Sequence, residues 1–118
     1  METMTLKMIV AVLAFILLDF ASGWMQAIKN GIFQSSVMRE GIWHKTGELM
    51  LIVLGIACEY FLPWLGVEIT VPIVKGICVY LCIMELASIV ENIGSAFPEL
   101  QKALSKFFGA YTETDKDE

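Results

Sequence analysis

The sequence predicts an all-α membrane protein, with three transmembrane helices and a C-terminal amphipathic helix, that assembles as an oligomer. Three observations carry this expectation. Hydrophobic residues make up 57 % of the 118 and charged residues only 18 %, with a mean hydropathy of +0.68, too apolar for a soluble domain of this size. The apolar residues gather into three runs of bilayer-crossing length. Ionisable side chains, namely Asp19, Glu59, Lys75 and Glu85, interrupt those runs. Each charge is unfavourable by about 2.5–3.5 kcal/mol at the centre of a lone spanning helix, so it survives only by pairing or by facing water. That requirement is the argument for assembly.

The first span is expected over residues 6–28, where the unbroken run Met8 to Leu18 extends through Asp19 to Ile28. A secretory signal peptide would share Lys7, the short apolar run and Ala21-Ser22-Gly23, but Asp19 sits badly just before such a cleavage site. The second span is expected over 46–65, ended by a tight turn at Pro63, Gly66 and Glu68. The third runs over 69–92, with Pro72 tolerable in its first turn. Together, residues 1–94 form one membrane domain.

Basic residues report orientation. Lys29, Arg39 and Lys45 follow the first span and Lys102, Lys106 and Lys116 follow the third, whereas only Lys7 lies on the opposite side. By the positive-inside rule the N-terminus is expected outside and the C-terminus in the cytoplasm, across the bacterial cytoplasmic membrane. Between Lys29 and Lys45, the pairs Ile32-Phe33, Val37-Met38 and Ile42-Trp43 recur amid Ser, Gly and charge. This suits a loop at the headgroup level. From 95 to 111, Leu100, Leu104, Phe107, Phe108 and Tyr111 fall at helical spacing opposite Glu99, Gln101, Lys102, Ser105 and Lys106, the pattern of an amphipathic helix. Residues 112–118 are a polar tail with nothing to bury.

Each span carries a polar seam. Lys75, Cys78, Cys82, Glu85, Ser88 and Asn92 share one face of the third span; Glu48, Ile52, Gly55 and Glu59 share one of the second; Asp19, Ser22 and Gln26 share one of the first. Gly55 would let another backbone come close. Depth arithmetic at 1.5 Å per residue places Glu59 level with Lys75, and an ion pair is expected there, within a subunit or across a subunit boundary. It places Asp19 level with Glu85, where no cation is spare, so that one holds a proton or both face water. The expected assembly or lumen-lining set is therefore Asp19, Ser22, Gln26, Glu48, Glu59, Lys75, Glu85, Ser88 and Asn92. Two readings stay open: these groups only hold helices together, or they line an aqueous lesion.

Several functions are disfavoured. A net charge of −5 argues against nucleic acid. The odd trio Cys58, Cys78 and Cys82, all in apolar runs, reads as buried free thiols and not as a disulfide framework or metal site. His44, the single histidine, lies beside Trp43, and Ser35 and Ser36 have no base nearby. Gly23, Gly31 and Gly41 lack phosphate-loop spacing. No enzyme, cofactor or metal is expected.

The chain resembles the phage holins of the toxin-secretion and phage-lysis type over roughly residues 8–104. The likeness rests on Asp19-Phe20-Ala21-Ser22-Gly23, on Ala27-Ile28-Lys29-Asn30 followed by Ser35-Ser36, and on Arg39-Glu40-Gly41-Ile42 with Lys45. It continues through Glu85-Leu86-Ala87-Ser88-Ile89-Val90-Glu91-Asn92 with Pro98 and Leu100. The resemblance implies a homo-oligomer in the cytoplasmic membrane that opens lesions through which a cell-wall hydrolase (endolysin) or a toxin leaves. One departure is the C-terminal segment, where Lys102, Lys106 and Lys116 face Glu99, Glu113, Asp115, Asp117 and Glu118, while many holins end strongly basic. A small ion or proton channel, which would use the same intramembrane acids, and a membrane-disrupting defence effector are the alternatives.

Overall fold

The computed structural model describes residues 3–103 and 105–106. Three long helices follow one another: α1 over Thr3–Lys29, α2 over Ser35–Phe61 and α3 over Ile73–Ala96. A 3-10 turn, Leu62–Leu65, prolongs α2. Residues 98–103 form a short further helix after a break at Phe97, and among the described residues none is in a strand. α1, α2 with its 3-10 turn, and α3 are each long and apolar enough to cross a membrane. At 1.5 Å per residue, the 27 residues of α1 reach about 40 Å, more than a hydrocarbon core of about 30 Å.

Local chemistry explains the helix ends. The first connection turns at Gly31, whose φ of 68° is left-handed backbone that glycine adopts without penalty. After α2, Pro63 opens the 3-10 turn and Gly66 closes it at φ 84°, its N–H reaching back to the Leu62 and Pro63 carbonyls. Pro72 precedes α3 as its N-cap. The helix therefore starts at Ile73, four residues after the start expected from hydropathy, because a residue before proline is held out of helical geometry.

The larger difference lies at the start of α2. The stretch read as a headgroup-level loop is helical from Ser35 onward, and only residues 32–34 remain irregular. The expected C-terminal amphipathic helix is present in part. Leu104, Phe107, Phe108 and Tyr111 lie outside the described residues, as does the tail 112–118.

α3 is central. α1 packs along it in parallel and α2 crosses it antiparallel, while α1 and α2 meet only briefly. The smallest dimension, 22 Å, is about two helix diameters, so the helices form a layer. Val12 and Ile16 of α1, Ile52 of α2, and Val74, Cys78 and Leu81 of α3 make the apolar core. At Gly55 an added Cβ would sit 2.7 Å from Ile77 Cδ1, so this glycine makes room on α2 for the side chains of α3. Most large apolar side chains point outward, including Leu17, Val53, Trp43, Leu65 and Trp64, the last two 78 % exposed. Such a surface suits lipid. The two ends of the layer are named here by their connections: the loop end, at residues 30–34, and the turn end, at residues 62–72.

Candidate functional site

The site begins with helical spacing on α1. Val12, Ile16, Asp19 and Ser22 fall on one buried stripe, so the acid lies inside the protein although its neighbours Leu17 and Leu18 face outward. On α3 the buried stripe runs Val74, Cys78, Leu81, Glu85 and Ile89. Glu85 is 2 % exposed, among the most enclosed side chains of the chain. On α2 it runs Glu48, Ile52 and Gly55. Three carboxylates, one per helix, thus face the shared interior.

Lys45 supplies the cation. It lies one turn before Glu48, and its ammonium reaches both Asp19 Oδ2 and Glu85 Oε2, the latter at 2.5 Å, with Glu48 Oε1 at 3.9 Å. This corrects the expectation that no cation is spare at the level of Asp19 and Glu85. The loop assignment had put Lys45 at the membrane surface, whereas helix from Ser35 draws it inside. Asp19 is ten residues before the end of α1, Lys45 ten after the start of α2 and Glu85 eleven before the end of α3. The cluster is therefore about 15 Å from the loop end, near the midplane of a 30 Å hydrocarbon core measured from those ends.

Neutral groups complete the link. Asn92 Nδ2 donates to Asp19 Oδ1 and to Ser22 Oγ, each at 3.0 Å, and lies 3.3 Å from the Asp19 carbonyl. Ser22 Oγ in turn donates to the Asp19 carbonyl at 3.0 Å. Nearer the loop end, Gln26 Nε2 donates to Ser95 Oγ at 3.1 Å and Asn30 Nδ2 to the Ser95 carbonyl at 3.2 Å. Lys29 Nζ donates to the Ala96 carbonyl and sits 4.9 Å over the Phe97 ring. α1 is thereby tied to α3 by polar contacts along its last three turns.

The expected residues divide. Asp19, Ser22, Gln26, Glu85 and Asn92 are brought together, and Ser88 is half-buried on α3 between the last two. Glu48 stands at the edge of the cluster, with His44 Nε2 3.1 Å from its Oε1 and no partner for its buried Oε2 among the described residues. Glu59 and Lys75 lie at the turn end, and their expected ion pair is not made within the protomer. Glu59 Oε1 accepts from the Val74 N–H at 3.0 Å, capping the first turn of α3, while Lys75 is exposed and makes no ion pair with Glu59. Depth was right and azimuth decided, since Val74 faces α2 and the next residue is turned about 100° away.

Sequence reasoning missed Lys45 and Lys29. For Lys45 a signal existed: it extends the Glu48, Ile52, Gly55 and Glu59 stripe by one more step of three. For Lys29 none did, because its partner is a backbone carbonyl. The acids are not arranged for a metal, and among the described residues no group of three or more His, Cys, Asp or Glu could hold one. What the arrangement does is fasten three helices at mid-depth with one ammonium shared between carboxylates, a device strong in a low-dielectric setting and labile once water enters.

A family model described as the bacteriophage holin family matches residues 1–113. No curated protein and no solved structure matches the chain.

Proposed function

The chain belongs to the bacteriophage holin family, and from that premise we propose that it accumulates in the bacterial cytoplasmic membrane, oligomerises, and opens lesions large enough to release a cell-wall hydrolase at host lysis. Its three apolar helices suit a multi-pass membrane protein, and the family acts by permeabilising membranes, without enzymatic chemistry. The observation that carries the reading is the enclosure of Asp19, Lys45, Glu48 and Glu85 at mid-depth, while apolar side chains cover the outside. A protomer of this kind is compatible with intact bilayer. Separation of the helices would expose the whole of its polar seam, Glu85 included, to water.

Lesion opening then follows from the chemistry of the link. In lipid no hydrophobic force distinguishes one helix partner from another, so polar contacts choose the arrangement. As copies accumulate, exchange of helix partners turns α1 and α2 away from α3, and the Asp19, Lys45 and Glu85 side chains become the lining of a water-filled gap in place of an internal pair. Apolar faces stay against lipid throughout. The orientation that fits the basic residues keeps the loop end and the C-terminus in the cytoplasm.

The test is size-graded release. Bacteria expressing the chain should grow normally, stop abruptly, and then release both small dyes and a co-expressed folded hydrolase. Release of protons or ions alone would replace the lesion by a narrow channel. Growth arrest that needs another host or phage factor would point to a defence effector.

A further inference from the structure

Two helices each leave a long face that the rest of the protomer does not cover. On α2, Arg39, Trp43, Thr46 and Met50 recur at steps of four, three and four, and all are exposed, Trp43 by 75 %. On α3, Glu91, Ala87, Met84 and Tyr80 recur at the same steps in the opposite chain direction and are exposed as well. Because α2 and α3 are antiparallel, the two series descend together from the loop end. Arg39 is four residues after the start of α2 and Glu91 five before the end of α3, which puts them about 6 and 8 Å deep. Trp43 and Ala87 follow at about 12 and 14 Å, then Thr46 and Met84 at about 17 and 18 Å.

Glu91 is the group that lipid cannot keep. A long arginine side chain at that depth snorkels to the headgroups, whereas a glutamate is too short, and headgroup phosphates repel it. It therefore needs a cation or a proton. Among the described residues the ion pairs join only Asp19, His44, Lys45, Glu48 and Glu85, so the protomer itself pairs neither Glu91 nor Arg39. Copies inserted in one orientation meet at like depth, and the exposed cation level with Glu91 is the Arg39 of another copy. Size agrees with charge. With that pair made, Trp43 comes level with Ala87 and Thr46 with Met84, a large side chain against a smaller one at each step, as close helix packing in lipid requires. Glu40 is another exposed acid at this depth, but pairing with it would set α2 on α2 and leave Glu91 without a cation.

We infer that the Arg39 face of α2 docks on the Glu91 face of α3 in a second copy of this chain, with an ion pair between the two charges and Trp43 seated over Ala87. The inference rests on the reading of the chain as a membrane oligomer, and it names the surface by which closed protomers associate. Because the two faces differ, the contact is head to tail. Each pair of copies keeps one free face of each kind, so association closes into a ring or goes on growing. The Lys45 cluster stays intact inside every copy.

The experiment uses the full chain with Trp24→Phe and Trp64→Phe, which leaves Trp43 as the reporter, in liposomes whose acyl chains carry bromine. Association is followed by energy transfer between copies labelled at the C-terminus. As the protein-to-lipid ratio rises, association should shield Trp43 from quenching by bromine. Arg39→Glu and Glu91→Arg should each weaken association about tenfold, and the two reversals together should restore it to within about threefold, with helicity unchanged throughout. Quenching that stays constant while copies associate, single reversals without effect, or a double reversal no better than either single one would each overturn the contact. Rescue of Arg39→Glu by Glu40→Arg would overturn it in favour of α2 on α2. Release of an entrapped folded protein is scored in the same vesicles. Association that follows the charges without such release overturns the lesion and leaves the contact standing, whereas release with association indifferent to both reversals does the opposite.

Discussion

The two halves of the helix layer are held by different physics. Toward the loop end, α1, α2 and α3 are joined by the Lys45 ammonium between Asp19 and Glu85, by Asn92 with Ser22, and by Gln26 and Asn30 with Ser95. Toward the turn end the contacts are Val12, Ile16, Ile52, Val74 and Cys78, the close approach at Gly55, and, among the described residues, one side-chain hydrogen bond, from the Val74 N–H to Glu59. In water the apolar half would dominate stability. In lipid, acyl chains replace apolar neighbours almost without loss, and the polar half decides which helices stay together. The difference teaches that the partner choice of these helices resides near residues 19, 45 and 85, while the turn end supplies shape and covalent tethering.

The largest effect is expected at the shared cation. Lys45→Met leaves two enclosed carboxylates facing each other, a change that typically costs about 3–5 kcal/mol. Protomer stability measured by reversible unfolding in bicelles should fall by that amount, and arrest after induction should come earlier than for the unaltered chain. A shift below about 1 kcal/mol would place the controlling contacts elsewhere. A substitution of intermediate size probes the apolar half: Gly55→Leu forces Ile77 aside, and overpacking of this kind costs about 1–3 kcal/mol. If Gly55→Leu destabilised more than Lys45→Met, the ranking of the two halves would be reversed.

Smaller effects sharpen the contrast. Asn92→Leu removes the bridge to Asp19 and Ser22, and interhelical hydrogen bonds in membranes average about 0.6 kcal/mol with a ceiling near 1.7. A loss of about 1 kcal/mol in the same unfolding measurement is expected. Smallest of all, a cycle of Lys75→Met and Glu59→Gln should show coupling below about 0.5 kcal/mol within the protomer, since the two side chains do not meet. Coupling well above that figure would restore the ion pair, either inside the subunit or between copies.

The sequence made the α1 seam legible, because Asp19, Ser22 and Gln26 recur at helical spacing in a run that hydropathy alone identifies. The buried stripe of α2 from Glu48 to Gly55 was legible for the same reason. Lys45 was not, since Ser35, Ser36, Arg39, Glu40, Gly41, His44 and Gly47 dilute the apolar signal and make the first turns of α2 look like a surface loop. Glu59 and Lys75 show a second limit. Rise per residue gives depth, but only packing fixes rotation, and one residue of rotation exchanges an ion pair with Lys75 for a cap on the backbone at Val74.

The central claim is that one ammonium on α2 holds an acid from each of the other two helices inside a single protomer, and a double-mutant cycle between Lys45→Met and Glu85→Leu in bicelles tests it most directly. The account predicts that each single change is strongly destabilising, with the pair together losing at least about 1.5 kcal/mol less than the two losses added. Strict additivity of the two losses would contradict it.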